Sequence, residues 1–219
     1  MIWLALDTAT SRASVAAGSS AADAAEESLE GARQHARSLI PMVASVLARR
    51  GITLADLAGV LVADGPGSFT GLRVAAAFAK ALADTRGLRL RTAPSLLGRA
   101  AGAAGGQDGA VLVSADALRG DRYAAVYRFD GRRIDTLVAP TVVPAAAIEE
   151  VAVAHRARVV DDAPPAARWL LELLGRDGGT VPVANVQSWE PVYGRPAEAQ
   201  AKWEREHGRL LPHPAGTGG

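Results

Sequence analysis

Short apolar runs separated by turns organise the first half of the chain. These runs predict four strands, at 2–6, 13–17, 24–29 and 59–63. Apolar residues at helical spacing predict a helix over 34–50, and an alanine-rich helix is predicted over 71–84. Strands that come first and then alternate with helices are typical of a mixed sheet covered by helices.

The second half repeats this order. Strands are predicted at 110–114, 123–127, 134–138 and 157–160. Helices are predicted near 148–153, with Pro144 in the first turn, and at 165–175. Asp116 follows the first strand of this half as Asp7 follows the first strand of the other.

The repeat predicts an α/β protein of two lobes, each a mixed sheet with flanking helices. A glycine- and alanine-rich stretch at 102–109 is the expected boundary, which gives domains at 1–105 and 106–219. A last helix is predicted at about 196–207, and it could pack back on the first lobe.

The run Gly65-Pro66-Gly67-Ser68-Phe69-Thr70-Gly71 lies between a predicted strand and a predicted helix. Glycines and hydroxyl side chains at a helix N-terminus are typical of an anion cradle, although no Gly-Lys-Ser/Thr ends this run as in a Walker loop. The phosphate-loop-like candidates are Gly65, Gly67, Ser68, Thr70 and Gly71, together with Asp7 and Thr8. In the alternative interpretation Ser68 or Thr70 only caps the helix, and Asp7 and Asp116 are ordinary turn aspartates.

The composition of the chain excludes several kinds of site and function. The chain of 219 residues has a net charge of +1 and no cysteine, which excludes disulfides, thiolate catalysis and cysteine metal sites. Its four histidines are scattered, so no metal site is predicted. No apolar stretch is long enough to span a membrane, and the expected location is the cytoplasm.

The string Gly-Pro-Gly-Ser-Phe-Thr-Gly-Leu-Arg at 65–73 resembles the signature of the TsaB (YeaZ) family. The stretches at 4–10, 35–43, 116–123 and 190–195 resemble the same family, densely in the first hundred residues and sparsely afterwards. The resemblance implies the duplicated ribonuclease H-like architecture shared with actin, sugar kinases and Hsp70. It also implies a role in making threonylcarbamoyladenosine in tRNA.

The function that this resemblance implies is that of a non-catalytic subunit. It would bind and activate a TsaD-type transferase that modifies the adenosine next to the anticodon in tRNAs reading codons that begin with A. Further implied partners are a TsaE-type ATPase, tRNA only through the complex, and a second copy of the chain when it is alone. The near-neutral net charge agrees with weak binding of tRNA by the isolated chain.

The resemblance also bears on cofactors. TsaD-type relatives hold a metal with two histidines four residues apart, and the matching positions carry Ser95 and Arg99. Ala9 stands where kinases and actin have a glycine close to phosphate. No metal and no cofactor beyond weak ATP or ADP binding is therefore expected.

The predicted partner interface lies on the two helices of the first half. Alanines recur at spacing four along 75–83, beside an apolar face, and family members pair through these helices. The predicted interface residues are His35, Leu39, Val43, Gly71, Ala75, Phe78, Ala79 and Leu82. The alternative is that this helix is simply buried in its lobe and that His35 caps a helix.

Three other functions remain open at this point. An actin-superfamily kinase or nucleotide hydrolase would use Asp7, the loop at 65–71 and Asp116 around a magnesium nucleotide. A metallopeptidase, the historical glycoprotease label of the broader family, would need clustered ligands that the sequence lacks. A self-associating scaffold would act as a homodimer.

Overall fold

Two β-sheets and five α-helices form the computed structural model, which describes residues 1–31, 35–117 and 120–194. The strands are β1 (Ile2–Asp7), β2 (Arg12–Gly18), β3 (Ala25–Glu30), β4 (Leu57–Ala63), β5 (Arg89–Ala93), β6 (Gly109–Asp116), β7 (Asp121–Asp130), β8 (Arg133–Pro144), β9 (Arg158–Asp161) and β10 (Val181–Pro182). The helices are α1 (His35–Arg49), α2 (Phe69–Arg86), α3 (Ser95–Ala104), α4 (Ile148–His155) and α5 (Arg168–Glu172).

The four strands of the second sheet have the same order as four strands of the first, β4-β1-β2-β3. The first sheet runs β10-β5-β4-β1-β2-β3, and the second runs β8-β7-β6-β9. In each sheet the first strand pairs antiparallel with the second and parallel with the fourth. The predicted fold class, two lobes that are each a mixed sheet with flanking helices, is confirmed.

Two predicted elements differ in detail. The helix predicted over 165–175 is only α5 followed by a 3-10 turn at Leu173–Gly175. Pro144 ends β8 and precedes a 3-10 turn, because the third strand of this lobe is longer than expected.

Alternation along β1 divides the interior into two cores. Leu4 and Leu6 face α1 and α2 in an outer core, whereas Trp3 and Ala5 face the second lobe in an inner core. The inner core contains residues of both sheets, including Leu61 and Tyr127. The two lobes therefore share one buried interior.

The domain boundary at 105/106 stays a prediction. β10 lies far along the chain from the first lobe, yet it pairs with β5 in the first sheet. The helix predicted at about 196–207 lies outside the described residues. In the described part of the chain no helix is both long and apolar enough to cross a membrane.

Candidate functional site

The loop at 65–71 packs directly on the turn that follows β1. A Cβ atom at Gly67 would lie 2.2 Å from the Ala9 carbonyl oxygen, and one at Gly71 would lie 1.9 Å from the Thr8 carbonyl oxygen. The Thr8 hydroxyl donates to the Gly71 carbonyl at 2.7 Å, and the Ser68 N–H donates to the Ala9 carbonyl at 2.7 Å. The structure thus brings together the phosphate-loop-like candidates, and their glycines allow two loops to touch.

Several N–H groups of this loop are bonded within the chain. The Ser95 hydroxyl accepts the Gly65 N–H at 3.0 Å, and the Ser68 hydroxyl accepts the Gly71 N–H at 3.3 Å. Ser68 is therefore the N-cap of α2, whereas Thr70 is exposed. Phosphate binding by this loop stays a prediction, and these bonds are those of the alternative interpretation, a capped turn.

Arg99 interacts with the charges of Asp7 in the first lobe and Asp162 in the second, and we call the space between the lobes at this point the cleft. Asp7 and Arg99 form its charged centre. Asp7 is 2% exposed and accepts the Ala9 N–H at 3.0 Å, the bond expected of a turn aspartate. Burial raises the pKa of Asp7, and the positive charge of Arg99 opposes that rise. Arg99 is itself 5% exposed, and burial lowers its pKa against the attraction of Asp7 and Asp162.

This centre does not fit a metal ion. Arg99 places a guanidinium close enough to Asp7 to interact with its charge. Because this group stays protonated, it cannot coordinate a magnesium ion and would repel one. Ser95, the other predicted position, is buried and bonded to the loop. Within 1–31, 35–117 and 120–194 no group of three or more histidine or acidic side chains is placed to hold a metal.

Asp64 is a half-buried carboxylate that was not predicted from the sequence. It follows β4, and burial raises its pKa to about 6 despite a hydrogen bond from the Thr92 side chain. Its backbone carbonyl accepts the Val192 N–H at 2.7 Å. An acidic residue at the end of a fully apolar strand, before a glycine turn, was the available signal.

Tyr127 lies on the other side of the same interior. It is fully buried in β7, and burial together with the negative charge of Asp64 raises its pKa. Its hydroxyl has no hydrogen-bond partner among the described residues. The Tyr127 hydroxyl is therefore held in its neutral form.

A group of polar side chains also joins the lobes by hydrogen bonds, and it was not predicted from the sequence either. The Glu26 carboxylate accepts the Arg168 side chain at 2.7 Å and the Arg168 N–H at 3.1 Å. The Ser14 hydroxyl donates to Glu26 at 2.9 Å and accepts the Ala167 N–H at 2.9 Å. The contacts of Glu26 with Arg168 and of Ser14 with Ala167 join residues more than 140 positions apart, so no local pattern indicates them.

Most of the predicted interface residues lie inside the lobe. Those buried by the chain itself are His35, Leu39, Val43, Gly71, Ala75, Ala79 and Leu82. Phe78 is half-buried. The Nε2 atom of His35 lies 3.1 Å from the Ser11 carbonyl oxygen. These residues shape the two helices from within, and their role at an interface stays a prediction.

The solvent side of the same helices carries a different set of small residues. Its exposed positions recur at spacing four, and we call them the outer face: Ala36, Ile40 and Ala44 of α1 with Ala77 and Ala81 of α2. Ile40 is 63% exposed. α1 packs against α2, so both helices present their small residues on one side of the lobe.

A segment at 183–194 lies along the edge of α2. Lys80 binds Glu190 at 2.9 Å and lies 5.8 Å from the Trp189 ring centroid. Phe69 and Tyr193 contact each other with ring centroids 4.6 Å apart. The segment therefore covers the side of α2 next to the loop at 65–71 and leaves the outer face open.

Known proteins resemble this chain in sequence and in fold. The chain is 34% identical over 148 residues to the Escherichia coli tRNA threonylcarbamoyladenosine biosynthesis protein TsaB, a match covering 64% of this chain and 63% of that protein. It is 42% identical over 119 residues to an uncharacterised protein of Mycobacterium tuberculosis, covering 54% and 52%. The chain thus spans less than two thirds of these relatives.

A solved structure is similar to this chain in fold. A Pseudomonas aeruginosa protein described as similar to peptidase YEAZ superposes with a TM-score of 0.71 at 26% identity, covering 89% of this chain and 99% of that one. The shared strand order of the two sheets and this likeness define a two-lobed protein of the actin-like class.

The family follows from the sequence comparison. The family model described as TsaD, tRNA N6-adenosine threonylcarbamoyltransferase, matches residues 29–166, which is more than half of the chain. The chain belongs to this family, and its relatives place it with the TsaB/YeaZ members.

Proposed function

We propose that this protein takes part in threonylcarbamoyladenosine modification of tRNA as a non-catalytic subunit that binds and activates a TsaD-type transferase. Family membership and the relative from Escherichia coli support the pathway. The transferase modifies N6 of the adenosine beside the anticodon in tRNAs that read codons beginning with A. A TsaE-type ATPase is a further partner, tRNA is bound through the complex, and the cytoplasm is the compartment.

The Asp7–Arg99 centre carries the non-catalytic part of the proposal. Metal-assisted transfer chemistry on this scaffold needs a metal ion beside the first-lobe aspartate, Asp7. The chain supplies the buried arginine Arg99 instead. Gly65 and Gly71 already donate to serine hydroxyls. These contacts favour a structural role for the cleft over an ATP-dependent kinase or nucleotide hydrolase.

The outer face is the proposed docking surface. Its alanines let the backbone of a partner helix approach closely, and Ile40 supplies an exposed apolar anchor at its centre. Activation requires that this face bind one conformation of the transferase better than another. A homodimer of the isolated chain would use the same face.

A matched pair of substitutions tests the docking surface. Ile40→Glu places a charge on the outer face, and Val153→Glu places the same charge at a position of similar exposure, 67%, on the second lobe. We expect Ile40→Glu to weaken binding of a TsaD-type partner at least tenfold and to lower tRNA modification in the reconstituted system. Val153→Glu leaves both unchanged.

The possible outcomes separate the parts of the proposal. Equal binding by both variants would contradict the outer face, and full modification without this protein would contradict the activating role. Sedimentation with and without the transferase tests the homodimer, since the two assemblies should exclude each other. Binding of ATP with magnesium tighter than about millimolar, abolished by Asp7→Ala, would favour the nucleotide enzyme instead.

A further inference from the structure

A second groove lies between the lobes, at the end of the cleft opposite the loop at 65–71. It has a volume of about 400 Å³, and Trp3, Ser19, Arg89, Arg91 and Leu174 line it. Trp3 is near the start of β1, whereas the loop follows the end of β4, which runs parallel to β1. The groove is therefore separate from the Asp7–Arg99 centre.

Two arginines of β5 face this groove. Arg89 and Arg91 are two positions apart, so a strand places both side chains on one face of the sheet. Arg89 donates through Nε to the Ala58 carbonyl at 3.2 Å, and its guanidinium carbon lies 5.1 Å from the Trp3 ring centroid. Arg91 donates to the hydroxyl and carbonyl oxygens of Thr180 at 2.7 and 3.0 Å. Both guanidinium groups are held in place.

The positive charges of these arginines are not neutralised within the described part of the chain. Neither Arg89 nor Arg91 forms an ion pair with a described residue, whereas Arg50 and Arg122 both pair with aspartates. Asp23 approaches the groove through hydrogen bonds from Ser19, but Arg50 binds its carboxylate at 3.1 Å. The groove therefore has a positive potential that favours an anion.

The remaining donors suit an oxyanion. No hydrogen bond to a described residue uses the Nη1 atom of either arginine, and guanidinium groups bind phosphate oxygens in a bidentate manner. The volume of the groove lies within the range of small-molecule sites. We propose that this groove binds a phosphate group, either of a small phosphate ester or of an RNA backbone.

The proposal is independent of the outer face, and arginine side-chain NMR tests it directly. The Nε–H resonances of Arg89 and Arg91 are followed in the full chain at constant ionic strength while inorganic phosphate, ADP or a short RNA is added. We expect a saturable shift with a Kd of about millimolar or tighter in at least one arm. Saturation by phosphate and ADP alone identifies a small ester, and saturation by RNA at lower concentration identifies a backbone.

Variants distinguish a site from a general charge effect. Arg89→Gln and Arg91→Gln should each weaken binding at least tenfold, whereas Arg128→Gln, an exposed arginine of β7, should change nothing. Arg89→Lys keeps the charge but loses bidentate geometry, and thermal melting of every variant checks the fold. Shifts that are the same with chloride, or that saturate in no arm, would overturn the proposal.

Discussion

The turns after the first strand of each sheet look alike in sequence and differ in structure. Asp7 is buried beneath the loop at 65–71 and interacts with the charge of Arg99. Asp116 is exposed, and its backbone N–H donates to the Asp162 side chain at 3.1 Å. Arg122 binds both Asp161 and Asp162 near the surface. Among the described residues, only the first lobe therefore buries an aspartate at this point of the repeated fold.

The helices that cover the outer sides of the two sheets also differ, and the larger core is again in the first lobe. α1 and α2 cover the first sheet over a large apolar core, whereas α4 covers the second over a cluster with Leu112, Val126 and Ala152 at its centre. The two sheets therefore have four strands in the same order but are covered by different helices over cores of different size.

The largest expected effect comes from the contact between the loop at 65–71 and the turn after β1. Gly71→Ala would place a methyl group 1.9 Å from the Thr8 carbonyl oxygen, which is backbone and cannot move aside cheaply. We expect a loss of about 2–4 kcal/mol in the free energy of unfolding, measured by chemical denaturation.

Gly175→Ala in the second lobe is the matched control. A Cβ atom there has no neighbour within 4 Å, so the free energy of unfolding should change by less than about 0.5 kcal/mol. Similar losses in both variants would show that the closed loop of the first lobe is not under special constraint.

The next effect concerns the carboxylates at the ends of equivalent strands, Asp64 after β4 and Asp161 in β9. Burial raises the pKa of Asp64 to about 6 from its ordinary value of 3.8, so the folded state holds its proton more tightly than the unfolded state. Its contribution to stability is therefore greatest below about pH 4 and is lost as the pH rises through about 6.

Asp64→Asn should remove that loss. We expect the variant to be more stable than the native chain by about 1–3 kcal/mol at pH 7.5 and equally stable near pH 4, in denaturation curves at both values. Asp161→Asn removes an exposed partner of Arg122, so it should destabilise slightly, by less than about 1 kcal/mol. A gain from Asp64→Asn at both pH values would contradict the pKa assignment.

The sequence was sufficient for the order of most elements and for part of the site, although β5, α3 and β10 were not predicted. The apolar run at 2–6 predicted β1, whereas the division of Leu4 and Leu6 from Trp3 and Ala5 between two cores depends on how the lobes pack. The loop at 65–71 follows an apolar strand, and its approach to Asp7 and Thr8 follows from the parallel pairing of β4 with β1.

The orientation of α2 was harder to predict because small residues occupy both of its sides. Ala75 and Ala79 are buried, while Ala77 and Ala81 are exposed. Leu72 and Leu82 are buried with Ala75 and Ala79 at helical spacing, and this was the local signal for the inner side. The contact of Glu26 with Arg168 had no such signal, since it depends on how the lobes meet.

The smallest effects test how each lobe treats a buried hydroxyl in its second strand. Ser14 of β2 is fully bonded: it accepts the Ala167 N–H at 2.9 Å and donates to Glu26. Ser14→Ala leaves that buried N–H without its acceptor, and we expect a loss of about 1–2 kcal/mol in denaturation.

Tyr127 of β7 should respond in the opposite way. Its hydroxyl is buried with no hydrogen-bond partner among the described residues, so Tyr127→Phe removes an unsatisfied polar atom and keeps the ring. We expect a change between zero and a gain of about 1 kcal/mol in the free energy of unfolding. A clear loss on Tyr127→Phe would mean that this hydroxyl is hydrogen-bonded in solution. The contrast between the two lobes would then disappear, because both second strands would hold a hydrogen-bonded hydroxyl at the shared interior.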